Sequence, residues 1–175
     1  METLMVSRIA FFASIAFSIV AWSMVSTRYI WPALRHRSRA EALRPLLALH
    51  GFRFLGMAFL VPGVASPDLP AAFAHPAAYG DLVAAALALL SLSLLPRAPS
   101  VVIAWVFNVW GLADLVNAFY QAGHAGISPG QLGATYFLPT LGVPLLLVTH
   151  VLAFRVLLQS RRDCVAREDR YLAHT

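Results

Sequence analysis

Long apolar runs separated by short polar stretches dominate the hydrophobicity pattern of this chain. The runs cover residues 6–25, 46–61, 79–95, 101–121 and 134–158. An α-helix rises about 1.5 Å per residue, so about 20 apolar residues cross the roughly 30 Å hydrocarbon core of a bilayer. The pattern predicts an all-α polytopic membrane protein, with one domain of five transmembrane helices over residues 1–158.

The start of the second helix has its own sequence signal. Ser38 is followed three residues later by Glu41, which matches a capping box and predicts a helix start near Arg39. Pro45 removes one amide donor, and it is expected to bend or break this helix before the apolar run.

The first run has a second interpretation. Arg8 precedes an apolar stretch, as in a secretory signal peptide that is removed from the mature protein. The stretch is long for that purpose and no clear small-residue cleavage site follows it. A retained helix is therefore favoured, and cleavage stays open.

Arginines are distributed unevenly among the connections. The connections after the first and third runs and the tail carry Arg28, Arg35, Arg37, Arg39, Arg44, Arg97, Arg161, Arg162, Arg167 and Arg170. The connections after the second and fourth runs, residues 63–78 and 123–133, carry none. Because cytoplasmic loops are enriched in Arg and Lys, the N-terminus is predicted outside and the C-terminus in the cytoplasm, with residues 159–175 as a charged cytoplasmic tail.

Composition supports a membrane location and narrows the partners. Hydrophobic residues make up 59% of the 175 residues and charged residues 12%, against about 45–50% and about 25% in soluble domains. The net charge of +5 comes entirely from Arg beside apolar runs, which favours contact with the lipid bilayer and argues against nucleic acid. The chain contains no Lys, which is typical of a GC-rich genome and therefore points to a bacterium. A bacterial inner membrane is the predicted location.

Several kinds of chemistry have no support in the sequence. Cys164 is the one cysteine, so neither an internal disulfide nor a cysteine metal site is expected. No phosphate-binding glycine loop, zinc-protease motif or nucleophile elbow is present. No metal and no cofactor are predicted.

Polar side chains inside the apolar runs are the candidate site. An ionised side chain at the centre of a bilayer costs about 2.5–3.5 kcal/mol or more, so such groups usually face protein or water. The candidate intramembrane polar site consists of His50, Arg53, Asp81, Asp114, Asn117, Tyr136 and His150. Asp114 is the strongest member, because it lies more than one turn inside its helix. For Arg53 a snorkelling position and for Asp81 a first-turn position remain alternatives.

Helical spacing and the predicted orientation divide these residues by depth. An outer group contains Asp81, Asp114, Asn117, Tyr120 and Tyr136, and an inner group contains His50, Arg53 and His150. Asn108 is expected near the middle, away from the stripe formed by Trp110, Asp114, Asn117 and Gln121 on the same helix. Thr149 is expected to face away from the side of Tyr136, Thr140 and His150. The two groups are predicted to be separate clusters that can join into a path.

Four functions fit these features. The preferred hypothesis is binding or transport of an unknown small ligand, coupled to protonation of Asp114 or a histidine. The alternatives are an intramembrane enzyme on a lipophilic substrate that uses Asp81 or Asp114, and an accessory or assembly protein. A bis-histidine haem protein with His50 and His150 as axial ligands is the last. A homo-oligomer or a membrane partner fits any of them.

Overall fold

The computed structural model describes residues 2–95, Arg97 and residues 99–172, without the side chains of Pro99 and residues 160–172. Within that part the chain is helical and forms no strand. Five helices are long and apolar enough to cross a membrane. The all-α class and the number of apolar helices are thereby confirmed. The predicted tail, residues 159–175, lies almost entirely outside the described side chains.

The helices are longer than the apolar runs that predicted them. We number them α1 (Glu2–Leu34), α2 (Arg39–Leu60), α3 (Ala71–Ser93), α4 (Pro99–His124) and α5 (Val143–Leu172). Ser26–Ile30 of α1 is a π-helical turn, and a second π-helical turn, Leu138–Gly142, leads into α5. A short 3-10 helix, Pro129–Tyr136, precedes it.

The N-terminus of α2 follows the sequence signal. The Ser38 hydroxyl accepts a hydrogen bond from the Glu41 amide at 3.4 Å, and the Glu41 carboxylate accepts one from the Ser38 amide at 3.2 Å. This confirms the capping box and the start at Arg39. The expected break at Pro45 does not occur, since the α-helix continues through it to His50.

The second half of α2 changes its winding. Residues Gly51–Leu60 form a 3-10 helix, which is unusually long for this conformation. With 3.0 residues per turn, side chains three apart lie one above the other. Arg53 and Gly56 are therefore on one buried face that continues from His50. At 3.6 residues per turn, Met57 would share the face of His50 and Arg53 instead.

Two apolar clusters pack the bundle at different levels. One is built on Leu43, Leu47, Phe107 and Val156, and the other on Phe73, Ala77 and Leu132. Along α3 the first lies towards the C-terminal end and the second towards the N-terminal end. Asp81 falls between them in the chain, which places the polar residues between two apolar layers.

The two connections without Arg meet at one end of the bundle. The Ala134 amide donates to the Val64 carbonyl at 2.8 Å, and the Ser66 amide donates to the Gln131 carbonyl at 3.3 Å. Gly133 has a φ of 57°, and a Cβ there would come within 2.6 Å of the Val64 carbonyl oxygen. Glycine is therefore required at this contact. The ends of α2 and α4 thus lie on the same side, as the alternating topology requires.

The outer surface of the bundle is apolar. Large side chains on every long helix are more than half exposed, among them Phe17, Leu55, Val102 and Leu158. A surface of this kind is expected to contact lipid or another apolar surface. α1 is the most peripheral helix and packs mainly on α5 and on Leu138–Gly142.

Candidate functional site

Arg53 lies at the centre of a buried ion-pair network. Its Nε donates to Oδ1 of Asp81 at 2.7 Å, and its Nη2 donates to Oδ2 of Asp114 at 2.7 Å. These contacts join α2 to α3 and α4. The Arg53 side chain is 0% exposed, and those of Asp81 and Asp114 are 17% and 12% exposed. Two carboxylates at this distance offset part of the large desolvation cost of a buried guanidinium.

The third nitrogen of Arg53 turns away from the carboxylates. Nη1 donates to the Gly111 carbonyl at 3.0 Å and lies 3.3 Å from Nε2 of His150. Guanidinium has donors only, so Nε2 of His150 is the acceptor in this contact. The Nδ1–H of His150 then donates to Oδ1 of Asn108 at 2.7 Å, and this hydrogen-bond pattern fits a neutral imidazole. Asn108 returns a bond from Nδ2 to the His150 carbonyl at 3.3 Å.

His50 extends the polar residues beyond His150. The two imidazole rings are in contact, with centroids 4.2 Å apart, and the Phe107 ring packs on both. Nε2 of His50 lies 3.0 Å from the Thr149 hydroxyl, and both histidines are 0% exposed. The network therefore continues from the carboxylates through Arg53 and His150 to His50, on four helices.

Three glycines make room for the charged side chains. A Cβ at Gly80 would overlap Oδ1 of Asp114, and a Cβ at Gly56 would overlap Oδ2 of Asp81. A Cβ at Gly111 would come within 2.6 Å of the His150 ring and 2.8 Å of Nη1 of Arg53. The helices approach closely enough for the ion pairs only because these positions have no side chain.

A cavity of about 390 Å³ adjoins the carboxylates. The charged residues of its wall are Asp81, Asp114 and Arg8 of α1. The remainder is apolar and rich in phenyl rings, including those of Phe11, Phe12, Phe59, Phe73 and Phe119. A mostly apolar cavity with a few convergent polar groups is the usual form of a small-molecule site.

Comparison with known proteins gives a family without an assigned function. The family described as Domain of unknown function (DUF8737) matches residues 10–158. The chain belongs to this family. No curated protein and no solved structure matches it.

The matched region contains the bundle apart from the first residues of α1 and the part of α5 after residue 158. Every residue of the ion-pair network falls within it, from His50 to His150. Of the cavity wall, only Arg8 lies outside the matched residues. The site described above is therefore a feature of the DUF8737 domain in this chain.

The structure brings five of the seven candidate site residues together and leaves two apart. His50, Arg53, Asp81, Asp114 and His150 form the network. Asn117 is exposed on the outer face of α4. Tyr136 packs on Phe11, with its hydroxyl 3.4 Å from that of Ser14.

The predicted division into two clusters does not match the contacts. Arg53, assigned to the inner group, bonds directly to both carboxylates of the outer group. Neither Arg53 nor Asp81 occupies its alternative position, since Arg53 is sealed in the interior and Asp81 lies ten residues after the first residue of α3. Thr149 was expected to face away from the polar side of its helix, but its hydroxyl lies 3.0 Å from Nε2 of His50.

Asn108, Thr149 and the three glycines were not among the predicted site residues. Gly56 and Gly111 each lie three positions from a charged residue of the network, and Gly80 is next to one. A small residue beside a charge within an apolar run is a signal of close helix approach that the sequence does contain. Asn108 has no such signal, since its partner lies 42 residues away.

The haem alternative gains no support from the geometry. Axial ligands bind the iron from opposite faces of the macrocycle. Here the two imidazole rings are in contact, and Asn108 and Thr149 occupy one ring nitrogen of each. In the described part of the chain, no group of three or more His, Cys, Asp or Glu residues is arranged to hold a metal ion.

Asn108→Leu is expected to lower the free energy of unfolding by about 1–3 kcal/mol, because it leaves the buried Nδ1–H of His150 without an acceptor. Thermal unfolding in mild detergent measures the change. Asn117→Leu on the same helix is the matched control and should leave the unfolding temperature unchanged or slightly higher, since Asn117 is exposed. Equal losses in both variants would contradict a structural role of the Asn108–His150 pair.

Proposed function

We propose that this protein is an integral membrane protein of the bacterial inner membrane, with its N-terminus outside. Two observations support the orientation. The connections without Arg lie together at one end, where Ala134 bonds to Val64. The Arg-rich segment between α1 and α2 lies just before Leu43 and Leu47, which belong to the apolar cluster farther from the connections without Arg. In this orientation the cavity occupies the outer half of the bilayer.

The proposed activity is the binding of a small, mostly apolar molecule with one polar end, as part of its carriage or transport. The observation that carries this proposal is the juxtaposition of an aromatic cavity with two partly exposed carboxylates. An apolar cavity alone would accept lipid tails without selection. Carboxylates at one position give a ligand a fixed orientation, because a polar group inserted elsewhere would lose its hydrogen bonds.

Proton coupling is part of this proposal. The Asp81 and Asp114 carboxyl groups both bind the Arg53 guanidinium, and each uses one oxygen for this contact. The second oxygen of each group, Oδ2 of Asp81 and Oδ1 of Asp114, lies against Gly56 and Gly80, and among the described residues it has no hydrogen-bond donor. A ligand that donates a hydrogen bond therefore competes with a proton for the same atoms.

An enzyme acting on a lipophilic substrate is the second candidate. It is favoured by the same position of the carboxyl groups, since a general acid or base must reach the substrate directly. The two proposals differ in the fate of the bound molecule, which leaves a binding protein unchanged. Mass spectrometry of the molecule after release distinguishes them.

Ala118→Phe tests the cavity. Ala118 lines the cavity wall on α4, and a phenyl group there would occupy part of the volume. We expect the affinity for a neutral probe, 4-phenylbutan-1-ol, to fall at least about tenfold, the usual effect of filling an apolar subsite. Calorimetry on protein in lipid nanodiscs measures it, with empty nanodiscs as the blank for partitioning into lipid.

Ala113→Phe is the matched control, because Ala113 is exposed on the same helix and is not in the cavity wall. It should bind the probe as the parent protein does. Equal affinity in both variants, or no binding by the parent protein above the blank, would reject the cavity as the binding site.

A further inference from the structure

The carboxylate end of the cavity has more negative than positive groups. Among the residues that the structure describes, Asp81 and Asp114 share a single ion-pair partner, Arg53. Two carboxylates and one guanidinium sum to a formal charge of −1 when all are ionised. His150 does not balance this charge, because its hydrogen bonds to Arg53 and Asn108 are those of a neutral ring.

An anionic ligand has no receptor at this position. Arg is the usual partner of carboxylate and phosphate groups, but the Arg53 side chain is 0% exposed and lies behind Asp81 and Asp114. Three of its nitrogens already donate to protein atoms. A ligand at this end of the cavity therefore meets carboxylate oxygen and not the Arg53 guanidinium.

The remaining charged group of the wall does not change this conclusion. Arg8 lies near the start of α1, its residue is exposed, and among the described residues it forms no salt bridge with Asp81 or Asp114. The part of the wall near the carboxylates is otherwise apolar and aromatic. Phenyl faces attract cations, most strongly where water is excluded.

We propose that the ligand of this cavity is an organic cation, a molecule with an apolar body and a protonated amine at one end. The ammonium group would donate to carboxylate oxygen of Asp81 and Asp114, and the body would pack among the phenyl rings. This inference rests on the proposed function of the cavity as a ligand site and adds the chemical class of the ligand.

Three probes that differ only in their end group test the proposal: 4-phenylbutylamine, 4-phenylbutan-1-ol and 4-phenylbutanoate. Each is titrated by calorimetry at neutral pH into the protein in nanodiscs of neutral lipid, with empty nanodiscs as blank. We expect the amine to bind at least about tenfold more tightly than the alcohol, as for a charge-assisted contact with little water. The carboxylate should bind most weakly.

The ratio of amine to alcohol affinity within one variant is the decisive quantity, because alcohol binding reports that the variant is folded and its cavity intact. Asp114→Asn removes one negative charge and should reduce the ratio to about twofold or less, since the cluster becomes formally neutral. Asp81→Asn makes the same test from α3 if the first variant does not fold. Asn117→Ala, one turn from Asp114 and facing outward, should keep the parent ratio.

The possible failures are distinct. If the alcohol binds the parent protein as tightly as the amine, or if both Asp variants that fold keep the parent ratio, the cation proposal is overturned. Loss of alcohol binding in Ala118→Phe would then still support the cavity as a binding site. If no probe binds above the blank, both proposals fail.

Discussion

Arg53→Met is expected to abolish stable folding of the bundle. Met retains the long aliphatic part of the side chain but has no charge, so Asp81 and Asp114 stay buried without a counter-ion. Breaking one buried ion pair costs about 3–5 kcal/mol, and here two are broken at once. A typical domain has only about 5–15 kcal/mol of stability. Thermal unfolding in mild detergent and the yield of monodisperse protein measure the loss.

Removal of the whole charged group separates the cost of unpaired charge from the loss of packing. The combination Arg53→Met, Asp81→Asn and Asp114→Asn should unfold at a higher temperature than Arg53→Met alone, because no charge is left unpaired. Arg8→Met is the matched control for loss of an arginine, and it should stay close to the parent protein, since Arg8 is exposed. If Arg53→Met is as stable as Arg8→Met, the ion pairs contribute nothing to folding.

Gly80→Ala is expected to lower the free energy of unfolding by about 3 kcal/mol. The added Cβ would occupy the position of Oδ1 of Asp114, so the carboxylate or the helix has to move. Overpacking usually costs about 1–3 kcal/mol, and displacement of Asp114 from Arg53 adds to it. The gain in helix propensity over glycine, about 1 kcal/mol, offsets only part of this.

Gly142→Ala is the matched control for a glycine in an apolar helix. A Cβ at Gly142 has no heavy atom of the protein within 4 Å, so this variant should be as stable as the parent or more so. Thermal unfolding of both variants side by side gives the comparison. If Gly80→Ala is no less stable than Gly142→Ala, then α3 and α4 are not as close as their contact at Asp114 requires.

These two predictions describe one structural device. Charges that are costly in an apolar interior persist because Arg53 bonds to two helices at once, and glycines let those helices approach. The carboxylates are held in place by the protein and not by the ligand. Both residues line the cavity, and their side chains remain 17% and 12% exposed. A rigid, partly satisfied pair of acceptors needs little reorganisation when a ligand binds.

Much of the fold is predictable because its signals are local. The length of each apolar run identified a helix, and the pair Ser38 and Glu41 located the start of α2 to the residue. Helix ends that lie outside the apolar runs are harder to predict from the sequence. α3 begins at Ala71, eight residues before its run, because Ala-rich and polar residues also continue a helix.

The candidate site was predictable in part for the same reason. Charges inside apolar runs are rare, so Arg53, Asp81 and Asp114 were identified one by one. The pairing of these three residues was not predictable. From the sequence, the depth of each residue follows only from the predicted helix ends and a spacing of 3.6 residues per turn. Residues Gly51–Leu60 form a 3-10 helix, with 3.0 residues per turn and a larger rise per residue. Gly56 therefore lies on the same face as Arg53 and packs against Asp81.

By itself the sequence determined that this chain consists of five long apolar helices with a few ionisable groups among them, because hydrophobicity and capping depend on residues close in the chain. The tertiary structure alone decided that Arg53 joins Asp81 and Asp114, that Asn108 orients His150, and that phenyl rings enclose a cavity beside the carboxylates. The physical reason is that these contacts depend on how closely the helices approach and on their rotation. Both are set by the packing of side chains that lie far apart in the sequence.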